Sequence, residues 1–335
     1  MTSKPLLIGY RTAGLLACFI VLVLCVTGSV LFGVTDIPFH QFIDAYRAFD
    51  GSNEHLIIRT ARVPRACIAA IVGAGLAVSG ALMQALTRNP LASPSLLGVN
   101  SGASLFIVIA SAYLGVSGLQ SFTWIAFVGA AVSAVAVYAL GSIGRDGMTP
   151  VQITLAGAAV TALFASMTQG ILLSNGKTFD QVLYWLVGSV AGRDLAMLKT
   201  VLPYVLVGFA GALWIARHIN ILAMGEDVAR GLGQRTVWIK LGVATVIVLL
   251  AGGAVSVAGP IAFVGLIIPH ITRFLIGTDY RWVIPYCALL GAILLVGADL
   301  GSRYIAMPKE VPVGVMTAII GVPFFVYIAR KGASL

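Results

Sequence analysis

Residues 62–86 read R-V-P-R-A-C-I-A-A-I-V-G-A-G-L-A-V-S-G-A-L-M-Q-A-L, and this stretch decides the fold class. Beyond Arg65 it carries no charge as far as Leu86, and about 20 apolar residues is what a helix needs to cross a bilayer. Ala69, Gly73, Ala77, Ala81 and Ala85 fall at every fourth position. One helix face is therefore nearly free of side-chain bulk, so a neighbouring backbone can approach closely. The stripe predicts tight helix packing and says nothing of a substrate.

Runs of the same kind recur outward in both directions, near 12–34, 95–115, 120–143, 150–174, 197–217, 238–258, 260–277, 281–304 and 312–331. The run at 260–277 is the weakest, interrupted by Pro269 and His270. Composition agrees: of 335 residues 59% are hydrophobic and only 10% charged, where a soluble domain has about 25% charged. The expectation is an all-α integral membrane protein of about ten spans. Ten spans use about 200 residues, leaving no room for a soluble catalytic or nucleotide-binding domain. Any energy source then sits on another chain or in an ion gradient. The apolar stretch in the first 34 residues is too long for a signal-peptide core and reads as a true first span.

The formal charge of +9 is scattered between spans, which excludes nucleic acid as a partner. Cys18, Cys25, Cys67 and Cys287 lie inside apolar runs without metal-ligand spacing and read as small core residues. An even number of spans puts both termini on one side. That side collects Lys4, Arg11, Arg88, Arg145, Arg217, Arg230, Arg235, Lys240, Arg273, Arg281, Arg330 and Lys331, and the other has nine basic residues. The bias favours cytoplasmic termini. Nine cations on the outer face still need a reason, and an acidic docking partner is one.

Catalytic chemistry is sparse. Ser174-Asn175-Gly176-Lys177-Thr178 resembles the end of a phosphate loop, but Gly170 is one position too far away and a span precedes it, so it reads as a polar turn. His40, His55, His218 and His270 are far apart, and no motif suggests a metal or acid–base site. Asp299 stands within a span with Arg303 four residues on, the spacing of a local ion pair. So few intramembrane carboxylates and histidines favour a pore gated from outside the membrane over a proton-coupled carrier. Residues 73–86 echo 252–266, each followed by a proline-containing stretch, which suggests duplication. Five spans per half, approximately 1–190 and 191–335, would force inverted topology.

Five segments carry a more specific signal. They are R-V-P-R with G-A-L-M-Q-A-L-T-R-N-P-L-A-S-P-S-L-L-G-V-N-S-G-A (80–103), A-G-P-I-A-F-V-G-L-I-I-P-H-I-T-R-F (258–274), A-D-L-G-S-R (298–303), V-P-V-G-V-M-T-A-I-I-G-V-P-F-F (311–325) and L-A-M-G-E-D-V-A-R-G-L-G (222–233). In order along about 60–330, they closely resemble the permease subunits of type II ATP-binding-cassette importers, which take up iron–siderophore complexes, haem or cobalamin. T-R-N-P-L-A-S-P and P-H-I-T-R-F look closest to the ferric-siderophore members.

The resemblance implies one transmembrane permease domain in a bacterial cytoplasmic membrane, paired with a second permease subunit, identical or paralogous. It implies two cytoplasmic ATPase subunits, which hold ATP and Mg, an extracytoplasmic siderophore-binding protein, and no cofactor or enzymatic activity on this chain. It places binding-protein docking at Arg62, Arg65 and Arg303. The coupling segment 222–235 would fit an ATPase through Gly225, Glu226, Asp227, Ala229, Arg230, Gly231, Leu232 and Gly233. The inner gate falls at Asn89 and Leu91 and near Thr149, Pro150 and Val151, where M-T-P-V departs from the hydroxyl pair of the cobalamin member. Gln152, Thr161, Ser166, Gln169 and Thr317 offer polar atoms that either line the pathway or bond between helices.

Overall fold

The computed structural model describes residues 4–33, 37–143, 149–307 and 309–332; Arg145 and the side chains of Lys4 and Lys331 lie outside the described residues. Among the described residues there are helices and no strand. In chain order they are α1 (Lys4–Leu31), α2 (Phe39–Arg47), α3 (Asn53–Ile57), α4 (Val63–Thr87), α5 (Val99–Leu114), α6 (Leu119–Gly141), α7 (Pro150–Ser174) and α8 (Gly176–Leu186). Then come α9 (Leu195–Ala223), α10 (Glu226–Gly231), α11 (Thr236–Ile247), α12 (Gly253–Ala258), α13 (Val264–Ile276), α14 (Tyr280–Ile305) and α15 (Val313–Gly332).

Among the described residues seven helical stretches are long and apolar enough to span a bilayer, and three shorter apolar helices, Val99–Leu114, Val264–Ile276 and Val313–Ile328, match the other three expected runs. The span expected from Arg62 begins earlier, at Asn53, because α3 passes through a π-helical turn at Ile58–Arg62 into α4. Such a turn widens the ladder by one residue without ending the helix.

Helix α4 is the axis of the bundle and is buried along almost its whole length. Its small stripe does what the spacing predicts. A Cβ on Gly73 would collide with the carbonyl of Gly291 in α14, and one on Gly291 with the carbonyl of Gly73. A Cβ on a second small position, Gly80, would collide with the carbonyl of Gly265 in α13, and one on Gly265 with the carbonyl of Leu76. Backbones this close gain dispersion contacts along both helices. Outside this core many large apolar side chains are exposed, Leu24, Leu173 and Phe274 among them, as a surface meeting lipid requires.

Two expectations are corrected by the fold. The break foreseen at Pro269 lies instead at Gly259–Phe263, where Gly259 and Phe263 take φ of 75° and 69°. Pro269 sits inside α13. It has no N–H for the carbonyl of Gly265, four residues back, and Gln84 Nε2 donates to that carbonyl instead, at 3.4 Å. The sequence echo between 73–86 and 252–266 also has no structural counterpart, since 73–86 is continuous helix and 252–266 crosses the break. That break is held from the side: Ser189 N–H donates to the Ala258 carbonyl at 2.8 Å, and Gly314 N–H to the Gly188 carbonyl at 3.1 Å.

Candidate functional site

The three arginines singled out by sequence do converge, where α1 ends, α4 begins and α14 ends. Asp299, 1% exposed in its side chain, is the hub. Arg65 Nε donates to both its oxygens at 2.9 Å and Nη2 to one at 2.8 Å, and Arg303 Nη2 donates at 2.7 Å. The i,i+4 pair read from sequence is present, but its second arginine comes from 234 residues away and left no local signal.

Other donors of Arg62 and Arg303 go to the end of α1, while Arg303 Nε is buried without a hydrogen-bond partner. Arg303 Nη1 donates to the Ser29 and Phe32 carbonyls at 2.7 and 3.1 Å, and Arg62 Nη1 to the Val30 and Leu31 carbonyls at 2.8 Å each. The last carbonyls of a helix lack intrahelical partners and favour positive charge, so two guanidinium groups cap α1 and fasten it to the bundle. Arg62 and Arg303 are 8% and 3% exposed, with their charge turned inward. Arg65 alone reaches the rim, where Nη1 donates to Glu310 at 2.7 Å.

At the opposite end of α4, where α9 finishes, α10 forms a knob. Gly225 and Gly233 bracket it with φ of 134° and 80°, conformations that suit a residue without Cβ, whereas Gly231 is an ordinary helical residue. Glu226 ties the knob to α11 through Lys240 Nζ at 2.7 Å and Thr236 Oγ1 at 3.3 Å, and to its own helix through Arg230 at 2.9 Å. Burial pushes the Glu226 carboxyl up, but Lys240 and Arg230 outweigh it and hold the group below the usual glutamate range. Asp227 points to solvent and Ala229 is fully buried against the bundle. Met224, Val228 and Leu232 are 70%, 44% and 64% exposed at four-residue spacing, a small apolar ridge on a polar loop. That spacing was present in the sequence and was missed.

A cavity of about 590 Å³ adjoins the knob, lined by Gln84, Arg88, Asn220, Met224, Arg273 and Asp279 among others. Arg273 donates to Gln84 Oε1, and Asn220 bridges Asp279 and the N–H of Tyr280 at 2.7 and 2.8 Å. Asp279 is raised by burial and lowered more by Arg281 and Asn220, so its carboxyl lies below the ordinary range.

Of the residues expected at the gate, Asn89 and Leu91 stand on either side of Pro90, which lines this cavity. Asn89 Oδ1 accepts from Leu91 N–H at 2.9 Å in a tight turn, with Leu91 37% exposed. Thr149 and Gln152 close a capping box at the start of α7 with Pro150 as its first residue, so the Gln152 amide oxygen is committed to Thr149. Val151 is exposed. The two stretches are joined where Gly157 of α7 lies against the Leu96 carbonyl. Thr317 is 1% exposed and bonds back to Gly314, which removes it from any pathway wall. Thr161 is half-buried and Ser166 exposed. Gln169 is exposed beside Phe179 and Asp180 in a cavity of about 600 Å³ at the α7–α8 elbow. The phosphate-loop-like string is that elbow, with Asn175 capping α8 through Thr178 N–H at 3.2 Å.

Ten apolar helices with a glycine-bracketed knob at one end and a charged cluster at the other define a membrane-embedded transport subunit. The chain belongs to the FecCD transport family, whose model matches residues 20–331. It is 55% identical to a Bacillus subtilis (strain 168) protein named "Probable siderophore transport system permease protein YfiZ", over 96% of both chains. It is 48% identical to the Fe(3+)-citrate import system permease protein YfmD of the same organism, over 90% of both. A solved structure titled "An inward-facing conformation of a putative metal-chelate type ABC transporter" superposes with a TM-score of 0.83 at 25% identity, covering 96% of this chain and 99% of that one.

Proposed function

We propose that this chain is the membrane-spanning permease of an ATP-driven importer and passes an iron–siderophore complex inward after an extracytoplasmic binding protein delivers it. The observation that carries the reading is the knob, an apolar ridge on a short helix fixed by Glu226 to α11, in a family whose relatives are named for siderophore and ferric-citrate import. Residues 222–235 would seat in a groove of a cytoplasmic ATPase subunit, with ATP and Mg held on that partner. The whole chain acts as one permease domain with halves near 1–190 and 191–335. A second permease subunit completes the path, both termini lie in the cytoplasm, and the membrane is the bacterial inner one. The arginine end then faces outward. There Arg65 meets an acidic lobe of the binding protein, while Arg62 and Arg303 hold α1 beneath it. Charges at such a rim steer and register a partner more than they add affinity.

The test is reconstitution of the complex in proteoliposomes. ATPase activity should rise when a ferric-siderophore-loaded binding protein is added outside, and the labelled iron should accumulate inside. Uptake that persists without the ATPase subunits, driven by a pH gradient, would overturn the reading; stimulation only by a cobalamin- or haem-loaded binding protein would replace the substrate.

A further inference from the structure

The rim of the arginine cluster holds a carboxylate that the docking reading does not use. Arg65 commits Nε and Nη2 to the buried Asp299 and turns Nη1 outward, where Glu310 covers it at 2.7 Å. The two side chains differ in exposure, 13% for Arg65 and 34% for Glu310. Glu310 belongs to the connection between α14 and α15 and has no other hydrogen bond or ion pair among the described residues. A carboxylate on a solvent-facing connection, held by one ion pair, is readily exchanged: pairs near water are worth little and are screened by salt.

We propose that Glu310 is an internal placeholder for the binding protein's carboxylate, occupying the outward edge of Arg65 until docking displaces it. This rests on the reading that Arg65 is a docking residue. Two carboxylates on one guanidinium edge repel each other, so the partner's acid and Glu310 compete. Docking then exchanges one ion pair for another, and Arg65 stays oriented by Asp299 in both states. Such an exchange lowers the net affinity of a complex that must separate after each delivery. It also leaves no bare charge at the rim while the permease waits. Lys309, exposed next to Glu310, gives the displaced carboxylate a neighbouring cation.

The experiment uses the complete permease–ATPase complex in nanodiscs and, as probe, the purified ferric-siderophore-loaded binding protein that stimulates its ATPase. Equilibrium binding is measured for the native complex, Glu310→Gln, Arg65→Gln and the double variant. Glu310→Gln should tighten binding about two- to fivefold, the range set by one partly exposed ion pair. Arg65→Gln should weaken it, and in the Arg65→Gln background the Glu310→Gln gain should vanish. Unchanged or weaker binding by Glu310→Gln, with Arg65→Gln still weakening, overturns the placeholder alone. A gain that survives in the double variant overturns it too, because the effect would then be the general field of a lost negative charge. An Arg65→Gln variant that binds as the native complex does would sink the docking reading and the placeholder with it.

Discussion

Replacing Asp299 by Asn keeps the shape of the buried hub and removes its charge, and the burial of its two partners sets the size of the loss. Arg65 and Arg303, 13% and 4% exposed in their side chains, would lose the carboxylate they share. Removing one partner of a buried ion pair costs about 3–5 kcal/mol. The Asn oxygen still accepts one neutral hydrogen bond, which returns about 1 kcal/mol. The expected loss is therefore about 2–4 kcal/mol, or roughly 30- to 700-fold in the folded-to-unfolded ratio at about 1.4 kcal/mol per tenfold. For a chain of this size that lowers the melting temperature by about 3–6 °C. Intrinsic-fluorescence melting in detergent measures it, and a repeat in 1 M salt separates causes. Surface pairs are screened at that ionic strength and buried ones much less, so the gap between native and variant should persist. A variant melting within 1 °C of native, or a gap that closes in salt, would refute the buried-hub argument. Ser302→Ala is the control, removing only the hydrogen bond from Ser302 Oγ to the Asp299 carbonyl at 2.7 Å.

Gly73→Leu should cost at least about 1–3 kcal/mol by overpacking, read as a lower melting temperature, whereas Gly170→Ala, with open space around it, should be neutral or slightly stabilising. Serine at Met224 or Leu232 should weaken assembly with the ATPase about ten- to a hundredfold each, since burying one such side chain contributes about 1.5–3 kcal/mol; co-purification stoichiometry and binding titration report it. Glu226→Gln should loosen the knob from α11 and lower binding-protein-stimulated ATPase activity more than basal activity. Because the folded carboxyl of Glu226 is depressed from 4.5, its stabilisation is complete above that value and is lost as pH falls through the lower folded one. Protease accessibility of the knob should then rise only under acid conditions, and in Glu226→Gln it should be high at neutral pH.

How much was legible in the sequence depends on the range of each interaction. The ten runs and the stripe at Ala69, Gly73 and Ala77 are local patterns, visible because a bilayer demands length and close packing demands absent side chains. The turn at Asn89 and the capping box at Thr149 and Gln152 are local too, the Gln152 amide oxygen serving its own helix start. Pro269 misled because a proline normally breaks a helix from within the chain, and its rescue comes from Gln84, 181 residues from the carbonyl it satisfies. The same holds at the arginine cluster. The family resemblance brought Arg62, Arg65 and Arg303 together, but the direction of Arg62 and Arg303 is set by the α1 carbonyls, which no composition or period reveals.

That direction bears on how the two ends communicate. Gly73 and Gly291 lock α4 against α14 so closely that neither can slide without one backbone striking the other. The arginine hub joins the same two helices at one end. At the other, Arg273 on Gln84 and Asn220 on Asp279 connect α4 and α14 to α13 and to α9, from which the knob hangs. A push on the knob thus meets a stiff pair of helices instead of a chain of soft loops, and packed elements of this kind shift as rigid bodies. The pliant points are elsewhere, in the break at Gly259–Phe263 and the turn at Asn89–Leu91, both bordering the α4–α13 contact. Motion delivered through α9 should therefore appear first at those two breaks, with the α4–α14 contact unchanged. Spin-label distances between the exposed Ala61, on the turn that leads into α4, and Gly297 of α14, and between the exposed Leu91 and Val151, measured with and without nucleotide on the partner ATPase, would show a constant first distance and a changing second; the reverse would refute the rigid-pair argument.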